Sequence, residues 1–529
     1  MTVVSGAFLL FLCITMGVYY AFPSTYRWLV LLAASIVFYV MAGRWEFLPC
    51  IFLTSLVVWL GARRLAKLDG QLKAQLAEAG KDKARKKALR GEFKSLRSRT
   101  LVGVLVLCIG VLCVTKFSRV VVPMLDGIVA RTSTGVHVDP MAIVMPLGIS
   151  YYTFSTVGYL LDVYWHRYEA EESFARFFTY TIYFPHILQG PISRYNRLGQ
   201  ELLREPHFDE RNITHGVERI IWGFFKKLVI ADRLNLLVST VYNGEAHAGS
   251  IFLVAMLMDA LMIYMDFSGY MEIVCGASQL FGVELEENFN HPFFSRTVAE
   301  FWRRWHMTLG GWFKDYVYYP ISVSSWMKKL NKRNNKRFSK RVTRVISVAI
   351  PCLITWFLTG LWHGTGPNYV CWGIYYGVLI TISNAFTEEF KALDERLGIN
   401  VESRSFRLFQ MLRTFCIFMG GRVLTSPGNL ANTAMVFDNI LHNFQPWQWF
   451  DGSLWTYGLT AKDVWLLILC LLLVLVVSNL QERMNIRDEI DRRGTAFRWV
   501  LMMAGIISVI VFGVYGAGYD AAKFIYMQY

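Results

Sequence analysis

Leu466-Leu-Ile-Leu-Cys-Leu-Leu-Leu-Val-Leu-Val-Val-Ser478 carries thirteen residues without a charge. Val500 to Gly513 repeats the pattern nearer the C-terminus. A membrane-spanning helix needs about 20 predominantly apolar residues. A transmembrane β-barrel would instead alternate apolar and polar positions. Unbroken apolar runs therefore predict helices that cross a bilayer.

Working outward, the 529 residues are 54% hydrophobic and 15% aromatic, and only 18% are charged. Soluble domains carry about 25% charged residues. These figures exclude a soluble enzyme, a disordered chain and a secreted disulfide scaffold. Further apolar stretches lie near 6–22, 27–42, 46–61, 101–118, 141–163, 174–190, 249–266, 268–283, 346–362, 368–385, 407–424, 463–479 and 497–515. They predict an all-α polytopic membrane protein of roughly 11–13 membrane segments. The first stretch lacks the basic flank and cleavage site of a signal peptide and is expected to remain.

The net charge is +15, and two segments account for it. Arg63 to Arg99 contributes +9, and Lys328 to Arg344 contributes +9. Basic residues between apolar spans mark cytoplasmic loops, because Lys and Arg resist translocation. The expected loops are 62–100 and 327–345. No recognised nucleic-acid module accompanies the charge, so nucleic acid is not an expected partner. Anionic lipid headgroups are. Counting spans from the first basic loop, and placing Glu482 to Arg498 inside, predicts both termini on the extracytoplasmic side. The expected division is a membrane domain over 1–516 and a tail over 517–529.

The nine cysteines lie almost entirely in apolar runs, with no C-x-x-C pair. They read as small buried hydrophobes, and no metal site is expected. Pro185, Gly190 and Pro191 break the 174–196 region. Backbone of that kind at membrane depth must be covered by protein or line a wet cavity. A cavity and a simple kink both fit.

Ionisable residues inside apolar segments are functional candidates. Asp266, His306 and His363 stand out. Imidazole titrates near neutrality, which suits moving a hydroxyl proton. Packing is the competing role for each histidine, and for Asp266 a structural ion pair with one of the nearby cations competes. Gly360 and Gly364 flank His363 and leave room for a ligand. No H-E-x-x-H, G-x-S-x-G, P-loop or dinucleotide fingerprint is present, so phosphoryl transfer and dinucleotide chemistry have no support.

Phe301-Trp-Arg-Arg-Trp-His-Met-Thr-Leu-Gly-Gly-Trp-Phe-Lys-Asp-Tyr-Val-Tyr-Tyr-Pro320 resembles the signature of bacterial membrane-bound O-acyltransferases. Phe184-Pro-His-Ile-Leu-Gln-Gly-Pro-Ile192, Tyr264-Met-Asp-Phe-Ser-Gly-Tyr270 and Leu361-Trp-His-Gly364 agree in order. The resemblance is to the branch that acetylates alginate and D-alanylates teichoic acid. It implies a ring of transmembrane and re-entrant helices around a central funnel. It also implies His363 as the catalytic residue, with His306 beside the same tunnel.

Acyl transfer from a thioester to an alcohol needs a base and donors for the oxyanion. His363 can be the base. His306 or a backbone N–H can serve the oxyanion. Arg303, Arg304 and Lys314 can attract a phosphate-bearing donor, or simply reach headgroups at the interface. Trp302, Trp305 and Trp312 read as packing or an interfacial belt. The tail Phe524-Ile-Tyr-Met-Gln-Tyr529 resembles the ending of the small partner protein of teichoic-acid D-alanylation. There a tyrosine is proposed to carry the acyl group, and Tyr526 matches it. Interfacial anchoring is the other reading of that tail.

The expected function is movement of an acyl group, acetyl first, from a cytoplasmic thioester across the membrane to a cell-envelope polysaccharide. The co-substrate would be acetyl-CoA or an acyl-carrier protein, with no bound cofactor. An extracytoplasmic acyltransferase or esterase-like enzyme would be the partner. D-alanyl transfer is the alternative within the class. A transporter or flippase of lipid-linked sugars, and a non-catalytic scaffold, are the alternatives outside it.

Overall fold

The computed structural model describes residues 1–43, 45–118, 145–204 and 207–515. The described residues are helical, with one isolated antiparallel bridge between Phe289 and Trp305. The apolar run Leu466–Ser478 lies in the Ala461–Gln481 helix. Thr460 starts that helix with a capping box: its hydroxyl accepts from Asp463 N at 3.3 Å, and Asp463 Oδ2 accepts from Thr460 N at 2.9 Å. Two orphan donors of the first turn are thereby satisfied.

Seven described helices are long and apolar enough to cross a membrane, or eight if the bent pair Pro367–Ala385 and Thr387–Arg396 counts as one span. This is a multi-pass architecture with fewer long spans than the expected 11–13. The reasons are local. The expected spans 249–266 and 268–283 form one helix, Gly249–Gln279. Gly6–Ala21 and Ile149–Tyr164 have only 16 residues each, and Phe174–Ile182 has 9. The Arg404–Val423 helix carries four arginines, which excludes it as a clean apolar span. The expected basic loops are largely helical too. Leu48–Glu78 and Lys83–Lys116 run through 62–100, and Ser325–Asn334 with the start of Lys340–His363 fills most of 327–345.

The chain divides into two compact units. The first contains Met1–Ile213 and Ala277–Glu286. Its broken stretch around Pro185 is covered by protein. Phe184 N donates to Ser35 Oγ at 3.0 Å, Tyr180 OH donates to Ser193 O at 2.8 Å, and His186 Nε2 lies 2.9 Å from Tyr180 O. The chain is not helical between Ile182 and Tyr195, so this is an unwound stretch rather than a kinked helix, and these side chains satisfy backbone that a helix would otherwise satisfy.

The second unit contains Thr214–Gly276 and Glu287–Tyr529. Here the Glu210–Phe224 and Gly249–Gln279 helices touch backbone to backbone. A Cβ on Gly223 would lie 2.5 Å from Gly269 O. Small residues at a crossing allow this approach. It brings Lys227, just beyond the first helix, onto Asp266 of the second.

Candidate active site

His306 stands at a corner. Thr297 caps the short Val298–Arg304 helix by accepting from Glu300 N at 3.1 Å. The chain then turns through His306 in the left-handed region, φ 45°, and enters Met307–Phe313. A left-handed non-glycine residue costs roughly 1–3 kcal/mol and persists only where its surroundings hold it. Residues 288–290 do so. Met307 N donates to Asn288 O at 3.0 Å and Asn290 N donates to Arg304 O at 2.9 Å, either side of the Phe289–Trp305 bridge.

The Asn288 side chain completes the clamp. Its Oδ1 accepts from Thr308 N at 3.1 Å and from Thr308 Oγ1 at 2.7 Å, and lies 3.3 Å from His306 Nδ1. An oxygen that accepts from a backbone N–H is an acceptor toward the ring as well. Nδ1 therefore carries the proton in neutral His306, and Nε2 is the acceptor nitrogen. The ring is 3% exposed, and burial pushes the imidazole down to about 3. Phe267 packs edge-on against it at 4.8 Å.

His363 arrives on a long helix, Lys340–His363, and is its last residue. Pro367–Ala385 packs against that helix at glycine contacts: a Cβ on Gly360 would lie 2.4 Å from Tyr369 O, and one on Gly373 2.4 Å from Trp356 O. The free space at Gly360 and Gly364 is thus filled by the neighbouring helix rather than left for a ligand. Gly364 faces the Tyr369 ring, 2.2 Å from where its Cβ would stand. This packing sets Trp372 beside His363, ring centroids 4.9 Å apart. Trp362 touches both histidines, at 4.9 Å from His363 and 5.9 Å from His306.

The two histidines line one cavity of about 610 Å³. Its wall includes Trp302, Arg303, Gly310, Gly311 and Lys314. Gly310 and Gly311 are where room for a ligand exists, since no atom closer than 3.6 Å would meet a Cβ there. Arg303 and Lys314 are exposed at this wall, Lys314 Nζ lying 5.6 Å from the Tyr319 ring centre. Arg304 is engaged elsewhere, with Glu300 at 3.0 Å and Glu482 at 2.9 Å. Asp266 pairs with Lys227 at 2.5 Å, not with Arg303, Arg304 or Lys314. Lys227 also holds Asp232 at 2.8 Å. Tyr526, Tyr529 and the 517–529 tail lie outside the described residues.

Sequence reading missed Asn288 and one atom of Trp302. Trp302 sits among Trp356, Trp372 and Tyr376 at 5.0, 5.5 and 4.7 Å, so packing is part of its role. Its indole N–H is also buried without a hydrogen-bond partner among the described residues. A buried donor in a cavity wall is a place for a ligand oxygen. No local pattern marks Asn288, because its partners lie 18 and 20 residues along the chain.

Two histidines, an indole and two cations thus line one cavity in a multi-pass helical protein. Residues 170–420 match MBOAT, the membrane-bound O-acyltransferase family. A probable alginate O-acetylase of Pseudomonas aeruginosa is 30% identical over 491 residues, 91% of this chain and 82% of that protein. A teichoic acid D-alanyltransferase of Bacillus subtilis is 31% identical over 254 residues, 47% of this chain and 62% of its own. A peptidoglycan O-acetyltransferase of Helicobacter pylori is 26% identical over 281 residues, 47% and 50% of the two chains. The chain belongs to the membrane-bound O-acyltransferase family. It is an O-acyltransferase and a multi-pass membrane protein of bacterial type.

Proposed function

We propose that this enzyme moves an acetyl group from a cytoplasmic thioester, acetyl-CoA or an acyl-carrier protein, across the membrane for O-acetylation of an exported or cell-envelope polysaccharide. The observation that carries the proposal is the shared cavity: His306 and His363 line it together, with Arg303 and Lys314 on the same wall. The long match to a probable alginate O-acetylase supports acetyl and a polysaccharide. The shorter match to a teichoic acid D-alanyltransferase keeps D-alanyl as the second reading.

His363 takes the proton of the acceptor hydroxyl as its oxygen attacks the thioester carbonyl carbon. The tetrahedral oxyanion forms, the C–S bond breaks, and the thiolate leaves with the proton returned from His363. General-base assistance of this kind contributes about 10²–10⁴-fold. Neutral His306 offers only a lone pair at Nε2, so it orients rather than stabilises negative charge. The Trp302 indole N–H is the better oxyanion donor. Arg303 and Lys314 attract the phosphates of the donor.

On this proposal the acyl group crosses the membrane by way of the cavity that holds the two histidines, and both termini lie outside. Tyr526 on the tail is the acyl acceptor, handing the group to an extracytoplasmic acyltransferase or esterase-like partner. The test is incubation of purified protein with acetyl-CoA or an acetyl-loaded carrier protein, labelled in the acetyl group. Label on the C-terminal peptide of wild type, lost in His363→Ala, is the expected result. Equal labelling in both would remove His363 from the mechanism, and labelling only from a D-alanyl carrier would transfer the proposal to the second reading.

A further inference from the structure

A second cavity, of about 370 Å³, lies among Glu210–Phe224, Phe225–Ala231, Gly249–Gln279 and the 478–487 segment. Its wall is charged and largely buried. Arg219 is taken up by two carboxylates, Glu272 at 2.8 Å and Glu287 at 2.7 Å. Lys226 is not satisfied in this way. It is 6% exposed, its Nζ is 3.7 Å from Glu272, beyond hydrogen-bond range, and its other neighbour is the Trp222 ring at 5.6 Å. Arg487 adds a second cation, 3.4 Å from the same Glu272. Ser268, 3% exposed, and His291 complete the set, because Ser268 Oγ and His291 Nδ1 are buried with no partner among the described residues. An ammonium, a guanidinium and a hydroxyl with donors to spare around one space match a phosphate's oxygens.

The cavity borders an apolar groove of about 350 Å³. The two share Trp222, Gln481, Ile486 and Arg487. Leu473 and Val477 of the Ala461–Gln481 helix face Leu501 and Met502 of Thr495–Phe512 across it. The only acid on its wall, Glu218, has both carboxylate oxygens buried without a partner, and burial pushes its carboxyl up. The charged end stands at Ser478 to Arg487, from the last turn of one apolar helix into the segment before the next. That is the depth at which hydrocarbon gives way to headgroups.

We propose that this two-part cavity is a phospholipid site, with the phosphate among Lys226, Arg487 and Ser268 and an acyl chain in the groove between the two helices. The groove decides against the phosphate of a free acyl donor. A pantetheine arm laid there would leave amide groups in apolar surroundings without hydrogen-bond partners, which is unfavourable. The lipid joins two helices that are otherwise little buried, one at 17% and the other at 0% of its apolar window.

The test is native mass spectrometry of detergent-purified protein, then thermal unfolding of delipidated protein in micelles with and without phosphatidylglycerol, and with coenzyme A as the rival. Two variants act at opposite ends of the site. Arg487→Gln removes a half-buried cation, and Ala504→Trp fills the groove from its exposed side. Wild type is expected to retain one phospholipid per chain and to gain thermal stability when phosphatidylglycerol is returned. Arg487→Gln should weaken retention about tenfold, the loss of one charged hydrogen bond. Ala504→Trp should abolish it while eluting from size exclusion as wild type does. Equal phospholipid in all three proteins, none in wild type, or stabilisation by coenzyme A in place of the lipid would each overturn the proposal.

Discussion

His306 Nδ1 lies 3.3 Å from Asn288 Oδ1, and this contact decides what His306 can do. Because the same oxygen accepts from Thr308 N at 3.1 Å, the imidazole proton sits on Nδ1. The acceptor nitrogen is left for the rest of the site. Asn288 is therefore a positioning residue, and Asn288→Ala should free the ring to rotate and to change tautomer. A displacement of about 1 Å near the chemistry costs about 10²-fold. The expected outcome is a fall of that order in kcat with little change in KM for the thioester. Asn288→Asp, which keeps the acceptor, should recover part of it. Wild-type kcat in Asn288→Ala would show that the contact is structural only.

Trp302 separates packing from chemistry. Trp302→Phe keeps most of the ring contacts with Trp356, Trp372 and Tyr376 and removes only the indole N–H. Removing one oxyanion donor costs about 10²–10³-fold in kcat. If the N–H holds the oxyanion, the variant unfolds at nearly the wild-type temperature but turns over at least tenfold more slowly. A variant with unchanged turnover would assign the oxyanion to a backbone N–H instead.

The Asp266–Lys227 pair is a stability device. Both side chains are nearly inaccessible, at 4% and 3% exposure. Removing one partner leaves an uncompensated buried charge and costs about 3–5 kcal/mol, whereas replacing both by apolar groups is often neutral. Lys227→Met should lower the unfolding temperature sharply, and Lys227→Met/Asp266→Leu should recover only part of it, because Asp232, 2.8 Å from Lys227, loses the same cation. Acyl transfer per folded molecule should match wild type in the double variant. A folded double variant without activity would place Asp266 in the reaction.

Much of this architecture was legible before any coordinates. The run at 466–478 falls inside one helix and that at 500–513 inside another up to its cap at Gly513, and the motifs around His306 and His363 mark residues that meet on one cavity. What hid from the sequence depends on distant partners. The sequence offers Arg303, Arg304 and Lys314 as partners for Asp266, yet Lys227, 39 residues away, is the residue that pairs with it, and the expected spans 249–266 and 268–283 run on as one helix. Gly360 looked like room for a ligand because the helix that fills it arrives later in the chain. Asn288 carries no motif, and its role appears only when residues 288–290 fold back onto 304–307. Basic stretches read as loops because Lys and Arg resist translocation, a rule that places a segment on one side of the membrane without saying whether it is helical, and here the helices run on beyond the apolar windows.

Burial of His306 also predicts how stability follows pH. Its imidazole falls from the ordinary 6.5 to about 3 in the folded protein. Between those values the unfolded chain binds a proton that the folded chain refuses, so stability rises with pH across the window and falls as the solution is acidified. The loss begins near 6.5 and continues toward 3. His306→Gln, which keeps a polar side chain without a titrating ring, should flatten that limb. Thermal unfolding in detergent from pH 8 to pH 5 measures the slope directly. Parallel curves for wild type and His306→Gln would mean that the folded ring takes up its proton as readily as the unfolded one. The neutral tautomer argued from Asn288 would then fail with it.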